Sequence, residues 1–104
     1  MGGFRRIASA ADIPLGEMRT FDLGLYNIVV AHTDAGFFAT LDECTHDSAP
    51  ISDGELDDGE VVCARHGARF DLATGAVKAP PALVPLEVYD LRIDGDSILV
   101  CVDN

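Results

Sequence analysis

The residues of this chain with the most reactive side chains fall in two short runs. Cys44-Thr45-His46 is a Cys-x-His pair and Cys63-Ala64-Arg65-His66 is a Cys-x-x-His pair, with residues 47–62 between them. A cysteine thiolate is a soft anionic ligand and an imidazole a neutral, borderline one, so each run offers one ligand of each kind. Turn-forming residues adjoin both: Asp47-Ser48-Ala49-Pro50 follow the first pair and Gly67 the second. Chain reversals at those points let two loops bring their tips together.

Three chemistries use such a set. Zinc accepts two cysteines and two histidines, but its common fingers run Cys, Cys, His, His with other spacings. A [2Fe–2S] centre accepts the same donors, with both cysteines on one iron and both histidines on the other. A catalytic Cys–His dyad would leave the second pair without a role. The interleaved order Cys, His, Cys, His puts one ligand of each kind on each loop. Both loops would then grip both irons, which suits a two-iron centre better than a single tetrahedral ion.

The elements that must carry these loops read as short strands separated by turns, without helix-length periodicity. Residues 4–8, 18–21 and 26–32 have strand character, and Ala10-Ala11-Asp12-Ile13-Pro14 reads as a turn or single helical turn. Asp34-Ala35-Gly36 connects residues 26–32 to 37–41 as a hairpin. Later, Tyr89, Leu91 and Ile93 alternate with Asp90, Arg92 and Asp94, and Gly95-Asp96 turns the chain into residues 97–102. This second hairpin is expected to close the sheet against the first strands. Between the hairpins, residues 42–81 are rich in Gly, Asp and Pro and read as irregular, and long irregular segments in compact domains are usually functional. The expectation is one all-β domain over residues 1–104, with a loop-built site at about 42–81 inserted between the two hairpins.

Bulk composition narrows the role. At 104 residues and 48% apolar, the chain can bury one core without depending on a metal to fold. Eighteen acidic against seven basic residues give a formal charge of −11, which repels nucleic-acid phosphates and anionic membranes alike. Partners with basic docking faces are one reading of that charge, and acidity that simply aids solubility is the other. No apolar run has the length of a membrane span and no leader pattern opens the sequence, so a cytoplasmic location is expected. Three cysteines are an odd number, against a full disulfide framework.

The two ligand runs, extended through Gly67-Ala68-Arg69-Phe70-Asp71 and Thr74-Gly75, closely resemble the Rieske [2Fe–2S] family. The resemblance takes in Gly54, Leu56 and Gly59 between the pairs and Val77-Lys78-Ala79-Pro80-Pro81 after them. Within the family the sequence is similar to the free-standing ferredoxins of bacterial aromatic-ring-hydroxylating dioxygenases. The resemblance implies an antiparallel β sandwich with a two-loop cluster subdomain, and one [2Fe–2S] cluster on Cys44, His46, Cys63 and His66. It also implies a proline loop covering the cluster, at Pro80 and Pro81. The implied activity is not enzymatic. It is a one-electron shuttle, operating as a monomer between a flavin-dependent reductase and a terminal non-haem iron oxygenase, with no small-molecule substrate of its own.

Departures from relatives sharpen this. Rieske proteins of respiratory and photosynthetic complexes carry an extra cysteine in each cluster loop; here Ala49 and Arg65 match those positions, so that disulfide is absent. Those proteins also place Ser and Tyr hydroxyls on the cluster sulfurs, where this chain has Ala68 and Phe70. Fewer donors stabilise the added electron less, so the potential is expected near the low end of the Rieske range, about −150 mV. Arg65, Arg69 and Lys78 are candidates to offset the added charge, with ordinary solvated side chains as the competing reading. Other readings of the resemblance are a small subunit of a nitrite reductase-like complex, many of which lack the ligands present here, and a redox-sensing or Fe–S assembly protein. His32 reads as a surface or hydrogen-bonded histidine, Cys101 as a small buried apolar residue, and Phe37-Phe38 as core. Thr45 and Gly67 are expected to shape the loops.

Overall fold

The computed structural model describes residues 3–101 apart from 25, 46–48, 66 and 81. Ten strands run in chain order: β1 (Arg5–Ser9), β2 (Met18–Asp22), β3 (Asn27–Thr33), β4 (Gly36–Leu41), β5 (Glu55–Asp57), β6 (Glu60–Val62), β7 (Arg69–Asp71), β8 (Val77–Ala79), β9 (Val88–Asp94) and β10 (Ser97–Cys101). They form a six-stranded sheet in the order β1-β10-β9-β4-β3-β2 and a four-stranded sheet in the order β5-β6-β7-β8. Every pairing is antiparallel. The all-β expectation holds, and the 10–14 turn is a single 3₁₀ turn at Ala10–Asp12. Among the described residues no helix is long and apolar enough to cross a membrane.

β3 is the hinge of the packing. Its run Ile28-Val29-Val30-Ala31 is buried throughout, at 1% exposure or less. Successive strand residues point to opposite faces. Ile28 and Val30 join Ala8, Ile13, Ala39, Ile98 and Val100 in one core, while Val29 and Ala31 join a second core. That second core contains Cys44, Ile51, Val61, Cys63, Phe70, Leu72 and Leu86, so β3 ties the large sheet to the small one. Each large apolar side chain fully buried here contributes about 1.5–3 kcal/mol.

The segment at 42–81 departs from its expected irregular form. Short regular structure fills it: β5 and β6 lie between the two Cys/His runs, and β7 and β8 lie between the second run and Pro80. Each of its strands is three residues long, too short for alternation to show in the sequence. The β5–β6 hairpin turns at Asp58 and Gly59, both at positive φ (52° and 79°), which suits a tight hairpin of right-twisted strands.

Candidate metal centre

Each cluster run opens on a buried cysteine and closes on a buried alanine. The Cys44 amide donates to the Ala49 carbonyl at 2.7 Å, and the Cys63 amide donates to the Ala68 carbonyl at 2.7 Å. Both loops are therefore closed by the same bond over the same span of five residues, although one carries Cys-x-His and the other Cys-x-x-His. The second has an added bond, from the Gly67 amide to the Cys63 carbonyl at 3.0 Å. Cys44 and Cys63 are each 1% exposed, belong to one packed core, and form no disulfide.

The surroundings hold both loops from outside. Ahead of the first loop, the Asp42 carboxylate accepts from the Ser52 amide at 2.8 Å and from the Ser52 hydroxyl at 3.0 Å. That clamps its leading end to the 3₁₀ turn Ile51–Asp53. The second loop runs from β6 to β7, so the small sheet sets the separation of its ends. After β7, Asp71 Oδ2 accepts from the Thr74 amide at 3.0 Å and the Thr74 hydroxyl at 2.7 Å, and the Gly75 amide donates to the Asp71 carbonyl at 2.7 Å. The Asp71…Thr74-Gly75 part of the sequence pattern is thus a turn that builds the scaffold.

Sequence reading missed two features here. Asp42 and Ser52 carried no signal beyond being common turn residues. Arg69 is committed to carboxylates: Nε donates to Glu60 and Nη2 to Asp57, both at 2.7 Å. Those two hydrogen bonds, foremost the one to Asp57, raise its pKa above the ordinary guanidinium value. Its charge is therefore already matched, which removes it from the candidates for offsetting an added electron; Arg65 and Lys78 are exposed.

His46, His66 and Pro81 lie outside the described residues, and among the described residues no group of three or more His, Cys, Asp or Glu gathers that could hold a metal ion. His32 is away from the ligand runs: its Nδ1–H donates to the Ile13 carbonyl at 2.8 Å and its ring stacks on Phe37 with centroids 3.9 Å apart. Cys101 is half-buried rather than buried, because it ends β10 opposite Asp90 and belongs to neither core. Phe37 and Phe38 are half-buried and pack on the two cores, one each. Ala68 and Phe70 are fully buried and present no hydroxyl.

Two antiparallel sheets, with paired loops headed by buried cysteines, define the class: a small all-β protein with two thiols at the heads of matched loops. Comparison with known proteins carries this further: residues 4–90 match the Rieske [2Fe-2S] domain, and the chain belongs to that family. It is 41% identical over 99 residues to the ferredoxin component of biphenyl 2,3-dioxygenase from Rhodococcus jostii (strain RHA1), covering 95% of this chain and 92% of the relative. Among solved structures, the ferredoxin of carbazole 1,9a-dioxygenase from Nocardioides aromaticivorans IC177 superposes with a TM-score of 0.88 at 30% identity, covering 93% of this chain and 95% of the other. The ferredoxin in a complex of reduced oxygenase and oxidized ferredoxin of carbazole 1,9a-dioxygenase gives 0.86 at 31% identity, over 93% and 91%. The cofactor is accordingly a [2Fe–2S] cluster, and the work of such a ferredoxin is electron transfer.

The described part of the donor set fits this cofactor. Two thiols that form no disulfide are shielded from water in one core at the heads of matched loops. Soft thiolates in a dry, hydrogen-bonded cradle are what an iron–sulfur cluster requires.

Proposed function

We propose that this ferredoxin is the electron carrier of an aromatic-ring dioxygenase system, with Cys44, His46, Cys63 and His66 as the ligands of its cluster. Its electron donor is a flavin-dependent reductase and its acceptor a terminal non-haem iron oxygenase. The observation that supports the ligand set is the matched closure of the two loops, Cys44 on Ala49 and Cys63 on Ala68, each at 2.7 Å. Each histidine falls inside one of those loops by sequence.

When bound, the cluster supplies a one-electron couple. The residues of the chain bury the two cysteines, close each loop with a backbone hydrogen bond and exclude water; none of them makes or breaks a substrate bond. Ala68 and Phe70, buried without hydroxyls, favour a potential near the low end of the Rieske range, about −150 mV. The net charge of −11 favours partners with basic docking faces, so encounter slows as salt rises. Cysteines that form no disulfide suit a cytoplasmic location.

Purified protein is expected to be red-brown and, when reduced, to give a Rieske-type electron paramagnetic resonance signal. With NADH and a trace of the reductase it should bleach, and the oxygenase should restore its colour. A colourless, zinc-loaded protein overturns the ligand set. A loaded protein that neither partner reduces or reoxidises overturns the carrier role.

A further inference from the structure

Between β8 and β9 the chain forms an arch tied to the first cluster loop. Its feet, Ala82 and Leu86, are buried in the same core as Cys44 and Cys63. Between them Leu83, Val84 and Pro85 are exposed, Leu83 by 89% and Val84 by 59%. The far foot is anchored by the Leu86 amide, which donates to the Gly75 carbonyl at 2.8 Å. The crown is anchored separately: the Thr45 hydroxyl donates to the Val84 carbonyl at 2.7 Å, 39 residues away in sequence. Thr45 follows Cys44 directly and is the spacer of the Cys-x-His run.

We propose that Thr45 is a positioning residue, whose hydroxyl locks the crown of the arch onto the loop that begins at Cys44 and thereby presents Leu83 and Val84 to the oxygenase at a fixed place beside the cluster. The proposal rests on the carrier reading above. Leu83 and Val84 are too exposed to stabilise the core, whereas apolar side chains on a rigid mount lose little freedom on docking and so bind a partner at lower entropic cost. Tunnelling rates fall steeply with distance, so a crown that wanders also spoils the transfer geometry. The two buried feet do not depend on the hydroxyl, so its removal loosens the crown without unfolding the loop beneath. A neutral hydrogen bond of this kind corresponds to roughly a two- to twelvefold change in local opening.

The test uses the loaded protein and the variants Thr45→Val, Thr45→Ser and Leu83→Ser. Hydrogen exchange over residues 82–86 should accelerate roughly two- to twelvefold in Thr45→Val and return to wild-type values in Thr45→Ser. Transfer to the oxygenase should slow several-fold in Thr45→Val and in Leu83→Ser, with iron content and midpoint potential unchanged in both. Unaltered exchange in Thr45→Val overturns the lock. Faster exchange with an unaltered transfer rate overturns the presentation of the arch, as does wild-type transfer by Leu83→Ser. Loss of the cluster from Thr45→Val alone makes Thr45 a support of the cluster, against the proposal. If wild-type protein itself passes no electrons to the oxygenase, the carrier reading fails, and the exchange data still decide the lock.

Discussion

The Leu86 amide donates to the Gly75 carbonyl at 2.8 Å, and the Leu86 carbonyl oxygen fills the place where a Gly75 side chain would begin. Two backbones meet there with no room for a Cβ. The contact joins the end of the Asp71 turn to the foot of the arch, and so joins the small sheet to the strand that re-enters the large one.

Gly75→Ala is therefore expected to destabilise the loaded protein more than Gly59→Ala does. Both glycines have left-handed backbone, at φ 81° and 79°, but around Gly59 a Cβ meets nothing within 4 Å. Gly59→Ala should cost about 1–3 kcal/mol from backbone strain alone. Gly75→Ala adds a clash that only backbone movement relieves. Thermal unfolding followed by visible absorbance checks the order; equal losses would show that the Gly75–Leu86 contact yields freely.

Cys44→Ser and Cys63→Ser should each abolish the visible spectrum and take bound iron from about two per chain to near zero. Cys101→Ser should leave both unchanged, because Cys101 ends β10 outside the core that holds the other two cysteines. Iron analysis and absorbance decide this. Bleaching by Cys101→Ser would mean a different ligand set.

Arg69→Gln should lower stability most at low salt. Asp57 and Glu60 stand directly opposite each other on β5 and β6, and Arg69 of β7 bonds both. Facing carboxylates repel across a strand pair. Without the guanidinium the small sheet carries that repulsion, which added salt then screens. Unfolding midpoints measured across a salt series should converge with wild type as salt rises; a salt-independent gap would point to lost packing instead.

Tyr89 gives a pH signature. Burial, then the nearby Glu87 carboxylate and Tyr26, push its phenol up to about 12, from an ordinary value of 10.0. The folded chain thus keeps a proton that the unfolded chain releases, so this contribution to stability is whole below pH 10 and declines as pH rises from 10 to about 12. Tyr89→Phe should flatten that part of the stability profile. Denaturation midpoints between pH 9 and 12 test it, and parallel profiles for both proteins would contradict it.

Much of the molecule is legible in its residues because the signals are local. Hairpin turns at Asp34-Ala35 and Gly95-Asp96 carry their own turn chemistry, and the flanking strands fall within a residue or two of their expected limits. The residue types and spacing of the Cys/His runs make the Rieske family legible in the sequence. What the tertiary structure alone decided are contacts between distant segments, which leave no periodic trace. Three-residue strands became a sheet only by pairing with one another. The apolar run of β3 reads as a strand, but its division between two cores depends on what packs on each face. Arg69 is a free cation in sequence and a matched one once Asp57 and Glu60 fold beside it. Thr45 is the residue between Cys44 and His46 in sequence; only the fold brings the Val84 carbonyl to its hydroxyl, from 39 residues away.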